Sequence, residues 1–272
     1  MGDRLDHPEG VAWDPSSGML IAGGEQGQIY RVDPWTGRHQ EIASTGGNIL
    51  GVAVDGKGQI YACDTLHRAV MKIDPVGRVS VYSQGPPAAP FVLPNFLVFD
   101  ADGVLYVSDS GTWGQANGRL VRVLPDQTAV EWSAQAPAFT NGLALSGDGK
   151  WLYVAESTDP MISRISIDRR GQPGARETVL RLAKTVPDGL ALVSDGSLLV
   201  TCYRPDQIHR LAEDGTSQLA VDDWQAVKFA APTNLAFFGP ELDQAAVACL
   251  GGEWLVAFDP GCRGQPLNYP QW

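Results

Sequence analysis

The sequence predicts an all-β fold, a six-bladed β-propeller with four antiparallel strands in each blade. The first observation is an internal repeat. A short motif recurs six times, and in each copy one leading residue is followed by an alternating apolar stretch. Successive copies start 41 to 47 residues apart, which is the spacing of propeller blades. The copies begin at Glu9, Leu50, Asn95, Asn141, Asp188 and Thr233. They fill nearly the whole chain, so we expect residues 1–272 to form a single domain.

The second observation is that each copy contains the same four strands in the same order. After the first strand of the second copy, a turn at residues 55–58 leads to a second strand at 60–63. A third strand at 70–73, an Asp-Pro turn and a polar fourth strand at 78–82 follow. Alternating apolar residues with Gly, Pro and Asp at the joints indicate strands. A single sheet cannot bury both faces, whereas a ring of sheets can. A parallel β-helix lacks this four-strand order.

The chain must also close its ring. Residues 5–8 are too few to supply much of a strand, so we expect the last blade to take its outer strand from residues 265–269.

Composition excludes several classes of function. Hydrophobic residues make up 44% and charged residues 19%, which is typical of a globular chain. The net charge of −11 argues against nucleic-acid binding and against docking on anionic membranes. No apolar run is long enough to span a bilayer, and no secretory signal is recognisable. The four cysteines are widely spaced, which favours free thiols and a cytoplasmic location.

The residues that begin the copies carry the chemistry. In a propeller the first strands line a central channel, so equivalent positions form a ring at one mouth. Four ring residues offer carboxylate or amide oxygens in a common register: Glu9, Asn95, Asn141 and Asp188. Oxygen ligands with two negative charges suit a hard divalent cation. Turn capping would explain one or two such residues, but not their shared register.

The same segments resemble a known family. The motifs Pro8-Glu9-Gly10, Pro94-Asn95, Thr140-Asn141-Gly142 and Pro187-Asp188-Gly189 are similar to those of the gluconolactonase/regucalcin (senescence marker protein) family, over essentially the whole chain. The resemblance implies that these Glu, Asn, Asn and Asp residues hold one divalent ion. Calcium, magnesium or manganese suits the oxygen ligands best, and zinc or iron(II) is a further candidate.

The resemblance also implies an activity, the hydrolysis of a lactone or similar activated ester by a metal-bound water. Asp188 would be both a ligand and the catalytic residue, as base or as nucleophile. Three alternatives stay open: a phosphotriesterase-like hydrolase, a non-catalytic metal- or ligand-binding propeller, and a lyase-type enzyme like the relatives of strictosidine synthase. The partner is expected to be a small-molecule substrate.

Residues around the ring bear on the substrate. Sugar-acid lactonases of this family commonly carry an Arg two residues before the Asn of the third blade, where this chain has Leu93. Aromatic residues are expected on the same rim, where they either pack against neighbouring blades or line the pocket. The Pro-rich residues 84–94 are expected to form a stiff apolar lid. We therefore expect alkyl- or aryl-substituted lactones to be preferred over gluconolactone. The aromatic rim residues are Phe91, Trp113, Phe139, Tyr203, Trp224 and Phe229.

Several titratable residues near the ring have open roles. Asp64, Asp109 and Glu156 share one register at the ends of second strands, where solvated or ligand-supporting carboxylates are favoured over direct substrate contacts. A structural surface role is favoured for His67 over acid/base catalysis. His7 precedes Glu9 and is a candidate for a group that supports this ligand.

Overall fold

The computed structural model describes residues 4–271, and all regular secondary structure in that range is β-strand. Blades 1 to 3 contain, in chain order, β1 (Val11–Asp14), β2 (Met19–Gly23), β3 (Gln28–Val32), β4 (His39–Ser44), β5 (Ile49–Val54), β6 (Ile60–Asp64), β7 (Ala69–Ile73), β8 (Val79–Ser83), β9 (Pro94–Phe99), β10 (Leu105–Asp109), β11 (Arg119–Val123) and β12 (Ala129–Ser133). Blades 4 to 6 contain β13 (Thr140–Leu145), β14 (Trp151–Glu156), β15 (Met161–Ile167), β16 (Pro173–Arg181), β17 (Val186–Leu192), β18 (Leu198–Arg204), β19 (Gln207–Leu211), β20 (Ser217–Asp222), β21 (Pro232–Phe238), β22 (Gln244–Cys249) and β23 (Trp254–Phe258).

The six sheets confirm the predicted propeller. Strands within each sheet pair antiparallel with their neighbours in sequence order. The first strands of neighbouring blades contact one another around the whole ring, and β21 contacts β1. The first strands therefore surround a central channel. They all begin at the same end of it, which we call the site mouth, and end at the opposite mouth.

The hydrophobic core lies between blades. The buried apolar residues of the described chain form six clusters, one at each contact between neighbouring blades. The cluster between blades 6 and 1 joins Phe238 and Ala246 to Trp13 and Leu20. Because every sheet packs both faces against its neighbours, inner strands such as β6, β10 and β21 are buried along their whole length. Burial of this apolar surface stabilises the closed ring.

The last blade differs from the prediction, because it has three strands where the other five have four. The assignment of residues 265–269 to its outer strand is wrong, since this segment crosses the opposite mouth. Its polar groups bind free carbonyls of the first strands: Gln265 N donates to Leu192 O (2.9 Å), Asn268 Nδ2 to Phe99 O (3.0 Å) and Tyr269 OH to Trp13 O (3.1 Å). The segment thereby ties several blades together.

The interior of the channel is apolar. Behind the site mouth, the first strands and residues Gln265, Leu267, Asn268 and Tyr269 line a cavity of about 80 Å³.

All four cysteines are free thiols, as predicted, and Cys262 is the only one that is not fully buried. Within residues 4–271, the structure has no helix with the length and apolar character needed to cross a membrane.

Candidate metal centre

The backbone of the first strands is irregular at the height of the ring residues. In blades 2 to 6 the first strand carries one residue more than its partner, so that a β-bulge encloses each ring position. The bulges lie between Ile49 and Val52, Pro94 and Leu97, Thr140 and Leu143, Pro187 and Leu190, and Pro232 and Leu235. A bulge changes the direction of the enclosed side chains. The regular alternation of the strand is therefore interrupted where the donor residues lie.

Glycines next to the ring residues permit close contact between blades. A Cβ atom at these glycines would collide with the main-chain carbonyl of the ring residue in the next blade: Gly10 with Leu50, Gly51 with Asn95, Gly142 with Asp188, and Gly189 with Thr233. Only a residue without a side chain allows this approach. The glycine in the repeated motif therefore keeps the channel narrow at the site mouth.

Buried hydroxyl groups join blades 3, 4, 5 and 6 each to the next blade around the ring at the same height. Each donates to a carbonyl at or beside a ring position: Ser110 to Thr140 O (2.7 Å), Ser157 to Pro187 O (2.7 Å), Thr201 to Thr233 O, and Thr233 to Glu9 O (2.7 Å). These bonds hold the ring segments of successive blades in a common position.

The structure buries all four predicted ligands at the site mouth. Glu9, Asn95, Asn141 and Asp188 are 3–6% exposed. The Oδ1 atoms of the last three are buried and have no hydrogen-bond partner within residues 4–271. A buried acceptor without a partner costs about 1–3 kcal/mol, so such groups call for an explanation, such as a bound ion. Carboxylate and amide oxygens in this environment fit a hard divalent cation.

Neighbouring groups orient two of these side chains. Asn141 Nδ2 donates to Ser157 Oγ (3.1 Å), which leaves Asn141 Oδ1 free. Asn234 Nδ2 donates to Glu9 Oε2 (2.9 Å), and the Oδ1 atom of Asn234 is likewise buried without a partner in the described chain. The amide groups thus direct their N–H bonds to the protein and leave their oxygens available.

The two carboxylates are electrostatically coupled. Burial, and then the charge of Asp188, raise the pKa of Glu9 well above its usual value, against the hydrogen bond from Asn234. Burial raises the pKa of Asp188 to about 7, against the hydrogen bond from Asn141. Two charges cannot be buried together cheaply without compensation. The pair therefore takes up a proton near neutral pH or is neutralised by a cation.

Asn234 is the site residue that the sequence analysis missed. Thr233 occupies the ring register of blade 6, but its hydroxyl donates to the main chain of Glu9 and of Ala248. Asn234 follows it, at the position where the other ring segments carry Gly or Phe, and it contacts Glu9 directly. The signal in the sequence was the pair of adjacent polar residues at this point of the repeat.

The carboxylates at the ends of the second strands are buried and paired, and none is solvated. Asp64 contacts His67 Nδ1 (2.8 Å), Asp109 contacts Arg119 (2.9 Å), and Glu156 contacts Arg176. Asp109 also accepts hydrogen bonds from the main chain of Val92 and Leu93. These carboxylates therefore support strands and loops around the site mouth.

The two histidines predicted near the ring, His67 and His7, have different surroundings. His67 keeps 42% of its side chain exposed. His7 pairs with Asp6 (3.1 Å) and lies 3.6 Å from Glu25. Neither residue is a predicted metal ligand, so these contacts do not join His7 to the metal centre.

Two of the aromatic residues expected near the rim serve in packing, which is one of the two roles predicted for them. Phe91 and Phe229 are buried in clusters between blades, because an apolar ring is stabilised there by exclusion from water. Arg119 binds the carbonyls of Ala89 (2.7 Å) and Pro90 (2.9 Å). The loop at residues 84–94 is therefore fastened to blade 3. Trp113 and Trp224 are exposed as expected.

Fold and site together define a class of protein: a six-bladed propeller with buried oxygen donors at one mouth of its channel. The protein-family model described as SMP-30/gluconolactonase/LRE-like region matches residues 7–250 of this chain, and the chain belongs to this family. A gluconolactonase of Zymomonas mobilis subsp. mobilis is 30% identical over an alignment of 227 residues, which covers 75% of this chain but 60% of that protein's own length.

Two further comparisons agree. Pentonolactonase XacC of Haloferax volcanii is 28% identical over an alignment of 251 residues, which covers 90% of this chain and 82% of that protein. The solved structure of a gluconolactonase from Xanthomonas campestris has the same fold, with a TM-score of 0.81 at 19% identity, covering 95% of this chain and 87% of that one.

Proposed function

We propose that this protein is a metal-dependent hydrolase that opens lactone rings, with Glu9, Asn95, Asn141 and Asp188 as the ligands of one divalent cation. The observation that carries the proposal is the set of buried oxygens without hydrogen-bond partners beside two coupled carboxylates. When bound, such a cation supplies charge that polarises a carbonyl oxygen and acidifies water. Calcium, magnesium or manganese fits the all-oxygen donor set.

Asp188 is the residue to which we assign proton transfer. It is fully buried, its Oδ1 is free, and its pKa of about 7 in the metal-free protein lies near the pH at which a general base works best. Asn141 Nδ2 donates to Ser157 Oγ and Asn234 Nδ2 donates to Glu9 Oε2, which leaves the amide Oδ1 atoms of both residues without a partner in the described chain. The names of the gluconolactonase and pentonolactonase relatives support a lactone as substrate. The free thiols support a cytoplasmic location.

The test is lactone hydrolysis by protein that has been stripped of metal and then supplied with calcium, magnesium, manganese or zinc. We expect activity to return with at least one cation, and Asp188→Asn to lose it by about 100-fold or more. Asp195→Asn is the matched control, because Asp195 is in the same blade but is exposed and paired with Arg210 (2.6 Å). Undiminished activity after metal removal would contradict the proposal.

A further inference from the structure

The loops around the site mouth expose large apolar side chains. Two kinds of loop open there: those that join second to third strands, and those that join one blade to the next. They carry five of the exposed large hydrophobic residues in the described chain: Leu66, Val92, Trp113, Trp224 and Val227. An apolar rim around a pocket favours a ligand that has an apolar part.

Trp113 is the best-defined member of this rim. It is 59% exposed, and its ring contacts Phe139 in a T-shaped arrangement at 4.8 Å between centroids. Phe139 comes two residues before Asn141, one of the proposed ligands. The indole therefore packs against the segment that leads into Asn141, while more than half of its surface is exposed.

The loop that carries Trp113 is fastened at both ends. At its start, Ser110 Oγ donates to Thr140 O (2.7 Å). Within it, Thr112 N donates to Asn117 Oδ1 (2.9 Å), and Ala116 forms a β-bridge with Ala138. An aromatic group that is already held in place loses little conformational entropy when a ligand binds.

The blade 2 and blade 3 side of the mouth is also apolar. Leu50 takes the ring position of blade 2, and Leu93 lies two residues before Asn95; both are partly exposed. A sugar hydroxyl placed against these side chains would lose its hydrogen bonds to water without replacement. An aryl or alkyl group would instead be removed from water with a gain in free energy.

We infer that Trp113 and Phe139 form a subsite for the apolar substituent of an aryl- or alkyl-substituted lactone, and that such lactones are preferred over polyhydroxylated ones. This inference rests on the proposed lactonase function and adds the substrate class. Trp113 is a specificity-determining residue in this view, since it contacts the substituent and leaves the ring-opening step to the groups in the channel.

The experiment compares γ-phenyl-γ-butyrolactone with glucono-1,5-lactone near neutral pH, with spontaneous hydrolysis subtracted. Wild-type protein should show at least tenfold higher kcat/KM for the phenyl lactone. Trp113→Ala should lower this value by about tenfold, mainly through KM, and should change gluconolactone turnover by less than about twofold. Trp113→Phe should retain most of the preference.

Trp35→Ala is the matched control. Trp35 is 63% exposed and T-shaped against Phe238 at 5.3 Å, but it lies in the β3–β4 loop at the opposite mouth, so neither substrate should be affected. Equal loss on both lactones in Trp113→Ala, or a wild-type preference for gluconolactone, would overturn the subsite and leave the lactonase proposal standing. Failure to hydrolyse any lactone in the presence of divalent cations would overturn both.

Discussion

Replacement of Ser157 by alanine tests whether the fold itself orients the proposed ligands. Ser157 is buried, and its Oγ atom donates to Pro187 O (2.7 Å) while it accepts from Asn141 Nδ2 (3.1 Å). One hydroxyl thus directs the amide of Asn141 and holds the residue before Asp188. Its removal leaves a carbonyl and an amide N–H without partners, each at a cost of about 1–3 kcal/mol.

Ser110→Ala is the matched control for this change. Ser110 Oγ makes the same bond to the next blade, to Thr140 O at 2.7 Å, but no side-chain bond to a proposed ligand. The structure therefore predicts that Ser157→Ala costs about 1–3 kcal/mol more in unfolding free energy than Ser110→Ala. Because the Asn141 amide loses its orientation, cation affinity should fall by about 10- to 100-fold in Ser157→Ala, and by much less in the control.

The assays are guanidinium unfolding of the metal-free proteins and calorimetric titration with calcium and manganese. Ser157→Thr, which keeps the hydroxyl, should restore part of the affinity. Equal dissociation constants for Ser157→Ala and Ser110→Ala would refute the reasoning, since the hydroxyl would then have no specific effect on Asn141.

Three further predictions concern the same site. The pKa values of Asp188 and Glu9 are raised in the folded protein, so both carboxyls are neutral and tolerated well below pH 7. The metal-free protein should therefore lose stability as pH rises through about 7. Unfolding measured in chelator at pH 5 to 8.5 should show this loss, and Asp188→Asn should flatten the profile. Chelation should lower the melting temperature of the wild type and added cation should restore it, whereas Asp188→Ala should respond to neither. Gly142→Ala should weaken cation binding at least tenfold in titrations, because the added methyl meets the main chain of Asp188. Gly149→Ala, whose methyl meets nothing within 4 Å but whose φ of +67° strains any side chain, should lower stability and leave cation affinity unchanged.

Much of the fold was predictable from the sequence because the repeat is local. Each copy carries its own strands and turns, and packing copies side by side is the way for every sheet to bury both faces. The common register of Glu9, Asn95, Asn141 and Asp188 follows from this repeat, so their burial at one mouth could be predicted as well. Cation binding itself stays a prediction.

Contacts between distant segments were not predictable in this way. Residues 265–269 were expected to complete the last blade because residues 5–8 are too few, but their polar groups bind carbonyls of the first strands at the opposite mouth. Phe91 looked like a rim residue by position, yet it fits between blades 2 and 3. In both cases the place of the residues in the fold depended on which hydrogen-bond acceptors or apolar surfaces of other blades lay nearby in space.

The sequence by itself determined the number of blades, the position of the ring and the chemical type of its donors, because these follow from a repeated local pattern. Tertiary structure alone decided the direction of each donor. The bulges, the glycines between blades and the hydroxyl of Ser157 leave Asn141 Oδ1 free, while Asn234 in place of Thr233 contacts the carboxylate of Glu9. The physical reason is that hydrogen bonds between strands and between blades, which have no counterpart along one strand, set the orientation of buried amides.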